Sequence, residues 1–229
     1  MAVLLDYAQR ARDRFVMRKW VREYDPYLLG LHGVIHVGAN SGQERAYYEA
    51  AGLRVVWVEP IPSVFAELTQ NIRPYPRQRA LEYLLSDVDG ATYEFKISNN
   101  DGLSSSIFDL SLHTEVWPEV NYVGEVSLQS TRFDTMVEAE KIDLAGYEAL
   151  IMDTQGSELL VLKGADELVR NFKYIKTEAA DFEMYAGCAL AGDLSEYLDG
   201  FGFKEIRRKK FADGPTEGSG VYDIVFERS

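Results

Sequence analysis

Two short apolar runs rich in β-formers, Val34–Gly38 and Arg54–Glu59, are each followed at once by a helical pattern, over Gln43–Ala51 and Pro62–Ile72. Strand and helix alternating this closely imply parallel strands joined by crossover helices. Further strand candidates follow at Leu81–Leu85, Tyr93–Ile97, Val126–Thr131, Ala149–Asp153 and Tyr174–Glu178. A strong helical stretch, Ser157–Asn171, separates the last two, and Asp193–Phe201 supplies another helix. The chain closes on Phe203–Lys210, a turn region at Asp213-Gly214-Pro215, and Val221–Glu227, the pattern of an antiparallel hairpin. The expected fold is α/β: a doubly wound, mostly parallel seven-stranded sheet with an antiparallel C-terminal hairpin.

Before this alternation, Leu4, Leu5, Ala8, Phe15, Val16, Trp20 and Val21 recur at roughly helical spacing until Asp25-Pro26 interrupts them. Residues 1–30 therefore read as a helical appendage and 31–229 as one domain, a size that a single core accommodates. Leu4, Leu5, Phe15 and Trp20 also suggest homodimerisation through these helices. No apolar run approaches the roughly 20 residues that span a bilayer, and Met1 to Arg10 lacks a basic start and cleavage site. The expectation is a cytoplasmic protein without a membrane partner. A net charge of −13 opposes a nucleic-acid partner. The basic run Arg207-Arg208-Lys209-Lys210 reads as an exposed strand end, and the lone Cys188 as a packing residue.

Chemistry concentrates where strands end. Val34-Ile35-His36-Val37-Gly38-Ala39-Asn40-Ser41-Gly42-Gln43-Glu44 is a buried strand entering a glycine turn and then a helix. Gly38 and Gly42 let the backbone approach a ligand, but their Gly-x-x-x-Gly spacing lacks the third glycine of dinucleotide binders. That argues against a nicotinamide-dependent oxidoreductase. About 20 residues on, Glu59 ends the next strand, where a carboxylate accepts hydrogen bonds from both hydroxyls of an adenosine ribose. Ser86 and Asp87 end a further run, placing polar side chains toward an adenine amino group; an ordinary turn is the alternative.

These residues resemble the FkbM-type methyltransferases. The matching blocks are His36-Val37-Gly38-Ala39-Asn40-Ser41-Gly42, Val58-Glu59-Pro60, Leu85-Ser86-Asp87 with Gly90, and Ser104-Ser105-Ser106-Ile107. Thr131-Arg132-Phe133-Asp134, Asp153-Thr154-Gln155-Gly156-Ser157-Glu158 and Val161-Leu162-Lys163-Gly164-Ala165 continue the series. The resemblance implies a Rossmann-like class I methyltransferase fold, S-adenosyl-L-methionine as donor, and O-methylation of a sugar, glycan or natural-product hydroxyl. It nominates His36, Gly38, Ala39, Asn40, Gly42, Gln43, Glu59, Pro60, Ser86, Asp87, Ser105, Asp153 and Gln155 as the donor site. One departure stands out: where the family commonly has Lys-Ile-Asp-Val-Glu-Gly, this chain has Ile151-Met152-Asp153-Thr154-Gln155-Gly156, so a lysine and a carboxylate are missing.

Methyl transfer to oxygen needs alignment of the acceptor and a base for its proton. Asp153 and Glu178, closing adjacent parallel strands, are the leading catalytic candidates, with Glu158 and a loop histidine, His113, in reserve. His36 reads as a hydrogen-bonded core histidine beside the donor turn. The stretch from Ser104 to Glu125, with Phe108, His113, Trp117 and Tyr122, reads as an irregular insertion that selects substrate or packs its own rings. Asp153, Glu158 and Glu178 match no metal-ligand spacing, and no metal is expected. A non-catalytic protein that keeps the fold and the donor site is the competing reading.

Overall fold

The computed structural model describes residues 15–229. Helix α1 covers residues 15–24, and a 3-10 turn at Pro26–Leu28 leads into β1 (Gly33–Val37), α2 (Arg45–Ala51), β2 (Arg54–Val58), α3 (Pro62–Ile72) and β3 (Gln78–Leu81). Next come β4 (Leu84–Ser86), β5 (Thr92–Ser98), the short α4 (His113–Val116), β6 (Tyr122–Arg132) and α5 (Phe133–Ala139). β7 (Ala149–Met152), α6 (Glu158–Ala165), β8 (Tyr174–Ala180), α7 (Ala191–Asp199), β9 (Phe203–Asp213) and β10 (Gly220–Arg228) complete the chain.

The main sheet has seven strands in the order β3-β2-β1-β7-β8-β10-β9. The first five run parallel, and β10 lies antiparallel to both β8 and β9. Period-two alternation divides its side chains between two cores. Ile35, Val37, Val56, Val58, Leu150 and Met152 face Phe133 and Met136 of α5, Val161 and Leu162 of α6, and Leu194 and Leu198 of α7. Val34, Val55, Trp57, Ala149 and Ile151 face Tyr48 of α2, Leu68 and Ile72 of α3, and Val21 and Leu28 from the chain's start. Each such aliphatic side chain, fully buried, contributes roughly 1.5–3 kcal/mol, so helices on both faces follow from strands that are apolar on both sides.

Of the N-terminal apolar set, Leu4, Leu5 and Ala8 lie outside the described residues, and Phe15 and Trp20 are exposed. No helix among the described residues is long and apolar enough to cross a membrane.

Three local expectations are corrected. The run Leu81–Leu85 is not one strand: β3 ends at Leu81, and β4 leaves the main sheet to join β6 and β5 in a separate three-stranded sheet. The break lets both leucines bury, Leu84 beside Ile61, Phe95 and Ile107, and Leu85 in the main core. The helical stretch Ser157–Asn171 is interrupted at Asp166, which has φ +48°, and continues as a 3-10 helix. The insertion from Ser104 is not wholly irregular. It carries α4 and enters β6, and Phe108 and Trp117 pack against a cluster of Phe182, Met184 and Tyr185.

Gly164 of α6 shows how tightly the small sheet is held. A Cβ there would stand 2.1 Å from the Ser86 carbonyl oxygen and 3.2 Å from the Phe133 amide, both backbone atoms that cannot swing aside. Gly164→Ala should destabilise the fold by roughly 1–3 kcal/mol, read as a lowered urea midpoint at unchanged m-value.

Candidate active site

The strand order reverses between β1 and β7, and the residues just past their C-terminal ends define a crevice. After β1 the chain turns at Gly38, whose φ is +78°. A Cβ at that position would fall 1.8 Å from the Asp153 carbonyl oxygen, so the approach of the chain leaving β7 demands glycine. The amides of Gly38 and Ala39 both donate to the Val58 carbonyl, at 3.0 and 3.1 Å, pinning the turn to the end of β2. Gly42 (φ +71°) serves packing: its Cβ would meet Leu68 of α3 at 2.7 Å.

Glu59 is 4 % exposed and held from both sides. Its Oε2 accepts from the Asn40 amide at 2.9 Å and its Oε1 from the Ile61 amide at 2.9 Å, leaving each oxygen a second acceptor position. Burial pushes its pKa up to about 7 against the pull of those two amides, and the charge of Asp153 adds to the rise. Asn40, itself at φ +44°, accepts at Oδ1 from the Ser41 amide and from Gln43 Nε2, and donates from Nδ2 to the Asp101 carbonyl. This turn borders a cavity of about 190 Å³ lined by His36, Gly38, Ala39, Asn40, Gln43, Glu59, Pro60, Ser105, Asp153 and Gln155 among others.

A second cavity, of about 520 Å³, shares Leu103, Asp153 and Gln155 with the first and adds His113 and Glu178. Its position follows from strand register. Met152 pairs with Thr177, so the residues that follow, Asp153 and Glu178, emerge side by side at the sheet's edge. Glu178 does not close β8, as expected, but sits two residues inside it, opposite Asp223 of β10. Both carboxyls are pushed upward, first by burial and then by neighbouring acids: Glu158 for Asp153, and Asp153 with Glu158 for Glu178. Gln155 Nε2 donates to Asp153 Oδ1, and Tyr185 OH donates to Gln155 Oε1. The amide that replaces the family's second carboxylate thus holds the acid that remains, where a glutamate would repel it. Glu158 is turned to structure, accepting from the amides of Thr154 at 2.8 Å and Gly156 at 3.1 Å.

His113 is not an exposed loop residue. It starts α4, is 1 % exposed, lies between the rings of Trp117 and Tyr185, and meets Ser104 Oγ through Nε2 at 3.2 Å. Burial lowers its pKa, which favours the neutral ring. His36 borders the first cavity with its ring committed to the Tyr48 hydroxyl at 3.0 Å and stacked on Trp57. Ser86 and Asp87 are not brought to the cavity: Ser86 Oγ donates to Asp87 Oδ1 and meets Tyr93 OH, both at 3.2 Å, and Tyr83, Leu84 and Leu85 line the wall instead. Gly42 is also outside the lining. Phe95 and Leu103 line the wall without having been singled out in the sequence, because they arrive from the small sheet and its loop. Among the described residues no group of three or more His, Cys, Asp or Glu is arranged to hold a metal ion.

The strand order, the terminal antiparallel pair and the crevice at the switch point make this fold that of the class I methyltransferases. A model of the FkbM methyltransferase domain matches residues 36–205, and the chain belongs to that family. The 2-O-methyltransferase NoeI of Sinorhizobium fredii is 29% identical over 162 residues, which are 67% of this chain and 65% of that protein; the match thus spans under two thirds of the relative. Among solved structures, magnesium protoporphyrin IX methyltransferase of Synechocystis with bound SAH is 12% identical with a TM-score of 0.49, over 96% of this chain and 83% of that one. Aeropyrum pernix fibrillarin in complex with S-adenosyl-L-methionine is 13% identical with a TM-score of 0.48, over 87% and 67%.

The raised carboxyls have a consequence for stability. An acid whose folded pKa exceeds its unfolded value binds its proton more tightly when folded, so it favours folding at low pH and opposes it as pH rises through the folded pKa. For Glu59 that window runs from the ordinary glutamate value of 4.5 to about 7. Thermal scans of the ligand-free protein should show Tm falling between about pH 4.5 and pH 7, the reverse of the dependence that salt-bridged acids impose.

Proposed function

We propose that the protein is an S-adenosylmethionine-dependent O-methyltransferase acting on a hydroxyl of a sugar, glycan or natural-product acceptor. The observation that carries this reading is Glu59, a buried carboxylate anchored by two backbone amides on the wall of the first cavity and retaining two acceptor positions, as a ribose diol requires. Family membership supports methyl transfer, and the name of the NoeI relative supports oxygen as the accepting atom.

The donor, when bound, supplies an electrophilic methyl on a sulfonium, and the new O–C bond forms as the S–C bond breaks. The turn from Gly38 to Gln43 and Glu59 would hold it by ribose and backbone. Asp153, common to both cavities, takes the acceptor's hydroxyl proton, its carboxylate oriented by Gln155. Burial first, and then the charges of neighbouring acids, raise its proton affinity and make it a stronger base than a free aspartate. Asp153 lies where the two cavities meet whereas Glu59 borders only the first, which separates the two roles.

Calorimetric titration of S-adenosylmethionine is expected to show binding, with NAD as a ligand that does not bind. Glu59→Ala should weaken it at least about 100-fold, since two hydrogen bonds to a charged group are worth roughly 1.5 kcal/mol each or more. Absence of donor binding to folded wild-type protein would reject the reading.

The pH dependence carries a second expectation. Hydroxyls donating to Glu59 favour its ionised form, so binding lowers a pKa that begins near 7. The wild-type Kd should be flat above pH 7 and rise by up to about tenfold per unit below it, with this slope abolished in Glu59→Ala.

A further inference from the structure

We propose, resting on the methyltransferase reading above, that the second cavity takes an acceptor carrying a protonated amine near its reactive hydroxyl, with Glu178 and Glu119 as the amine's counter-charges.

No lysine or arginine lines this cavity, whereas Glu119, Asp153 and Glu178 all do. Lys176, two residues before Glu178 on β8, is paired with Asp223 at 3.2 Å. The three carboxylates are not equivalent. Asp153 also borders the first cavity and receives Gln155, so it serves the donor's positive charge and the reacting hydroxyl. Glu119 and Glu178 border the second cavity but not the first. The Glu178 carboxylate has no hydrogen-bond or ion-pair partner among the described residues, although the side chain is largely buried within β8. A second carboxylate beside Asp153 costs Coulomb repulsion unless a proton or a cation accompanies it.

Two further observations point to a cationic ligand. Trp117 and Phe211 stand on the same wall, and aromatic faces attract ammonium groups. His113, also lining the cavity and 1 % exposed, has an Nδ1 that finds no partner among the described residues. Burial disfavours its protonated form. An anionic acceptor would meet like charge with no lysine or arginine on the lining to offset it, and a neutral polyol would bring no counter-charge to Glu178.

The test uses three matched sugars, glucosamine, glucose and glucuronate, titrated by ligand-observed NMR into the full chain saturated with S-adenosylhomocysteine. Glucosamine should bind at least about tenfold more tightly than glucose, a difference of roughly 1.4 kcal/mol, with glucuronate weakest. That preference should shrink in Glu178→Gln and in Glu119→Gln, the latter a surface change that leaves folding undisturbed. Equal binding of glucosamine and glucose, tightest binding of glucuronate, or no detectable binding of glucosamine would overturn the proposal. Calorimetry of S-adenosylhomocysteine on the same samples separates the two levels: donor binding without amine preference rejects this inference alone, whereas loss of donor binding in folded protein rejects the methyltransferase reading.

Discussion

The carbonyl of Asp153 occupies the place where a side chain on residue 38 would have to go. Two strands that part company at the switch point, β1 and β7, therefore leave the sheet with their backbones almost touching, and only glycine at position 38 allows it. From that contact the rest of the site follows. The Gly38 turn folds back onto the end of β2 and presents the Asn40 amide to Glu59, while Asp153 is set where both cavities meet.

The electrostatic character of the site comes from stacking acids at one sheet edge in a poorly solvated crevice. Glu59, Asp153, Glu158 and Glu178 all bind protons more tightly than free carboxyls do, each chiefly through burial. Their hydrogen bonding sorts them into different uses. Glu158 is consumed by loop amides, Glu59 is anchored with acceptor capacity to spare, Asp153 is steered by Gln155, and Glu178 has no partner among the described residues.

Much of this was legible in the chain. Strands buried on both faces must be apolar throughout, so β1, β2, β7 and β8 stood out, and the residues ending them, Gly38, Glu59 and Asp153, could be singled out by position. What escaped was decided by contacts distant in sequence. Leu81–Leu85 looked like one strand because its composition is that of a strand; burial of Leu84 and Leu85 in different cores bends it out of the sheet. Ser86 and Asp87 looked placed for adenine; in the structure Ser86 bonds to Asp87 and Tyr93, and neither residue lines the first cavity. His113 looked like a loop residue because nothing adjacent reveals that Tyr185 packs across it.

The sequence by itself determined the α/β alternation, the glycine turn and the carboxylates at strand ends, because periodicity and backbone freedom are local properties that residue type sets directly. Only the tertiary structure decided which carboxylates are anchored, steered or unpaired, and that two cavities meet at Asp153. Those outcomes depend on strand register and on a loop reaching over from a second sheet, and neither burial nor a hydrogen-bond partner is encoded in a residue apart from what packs against it.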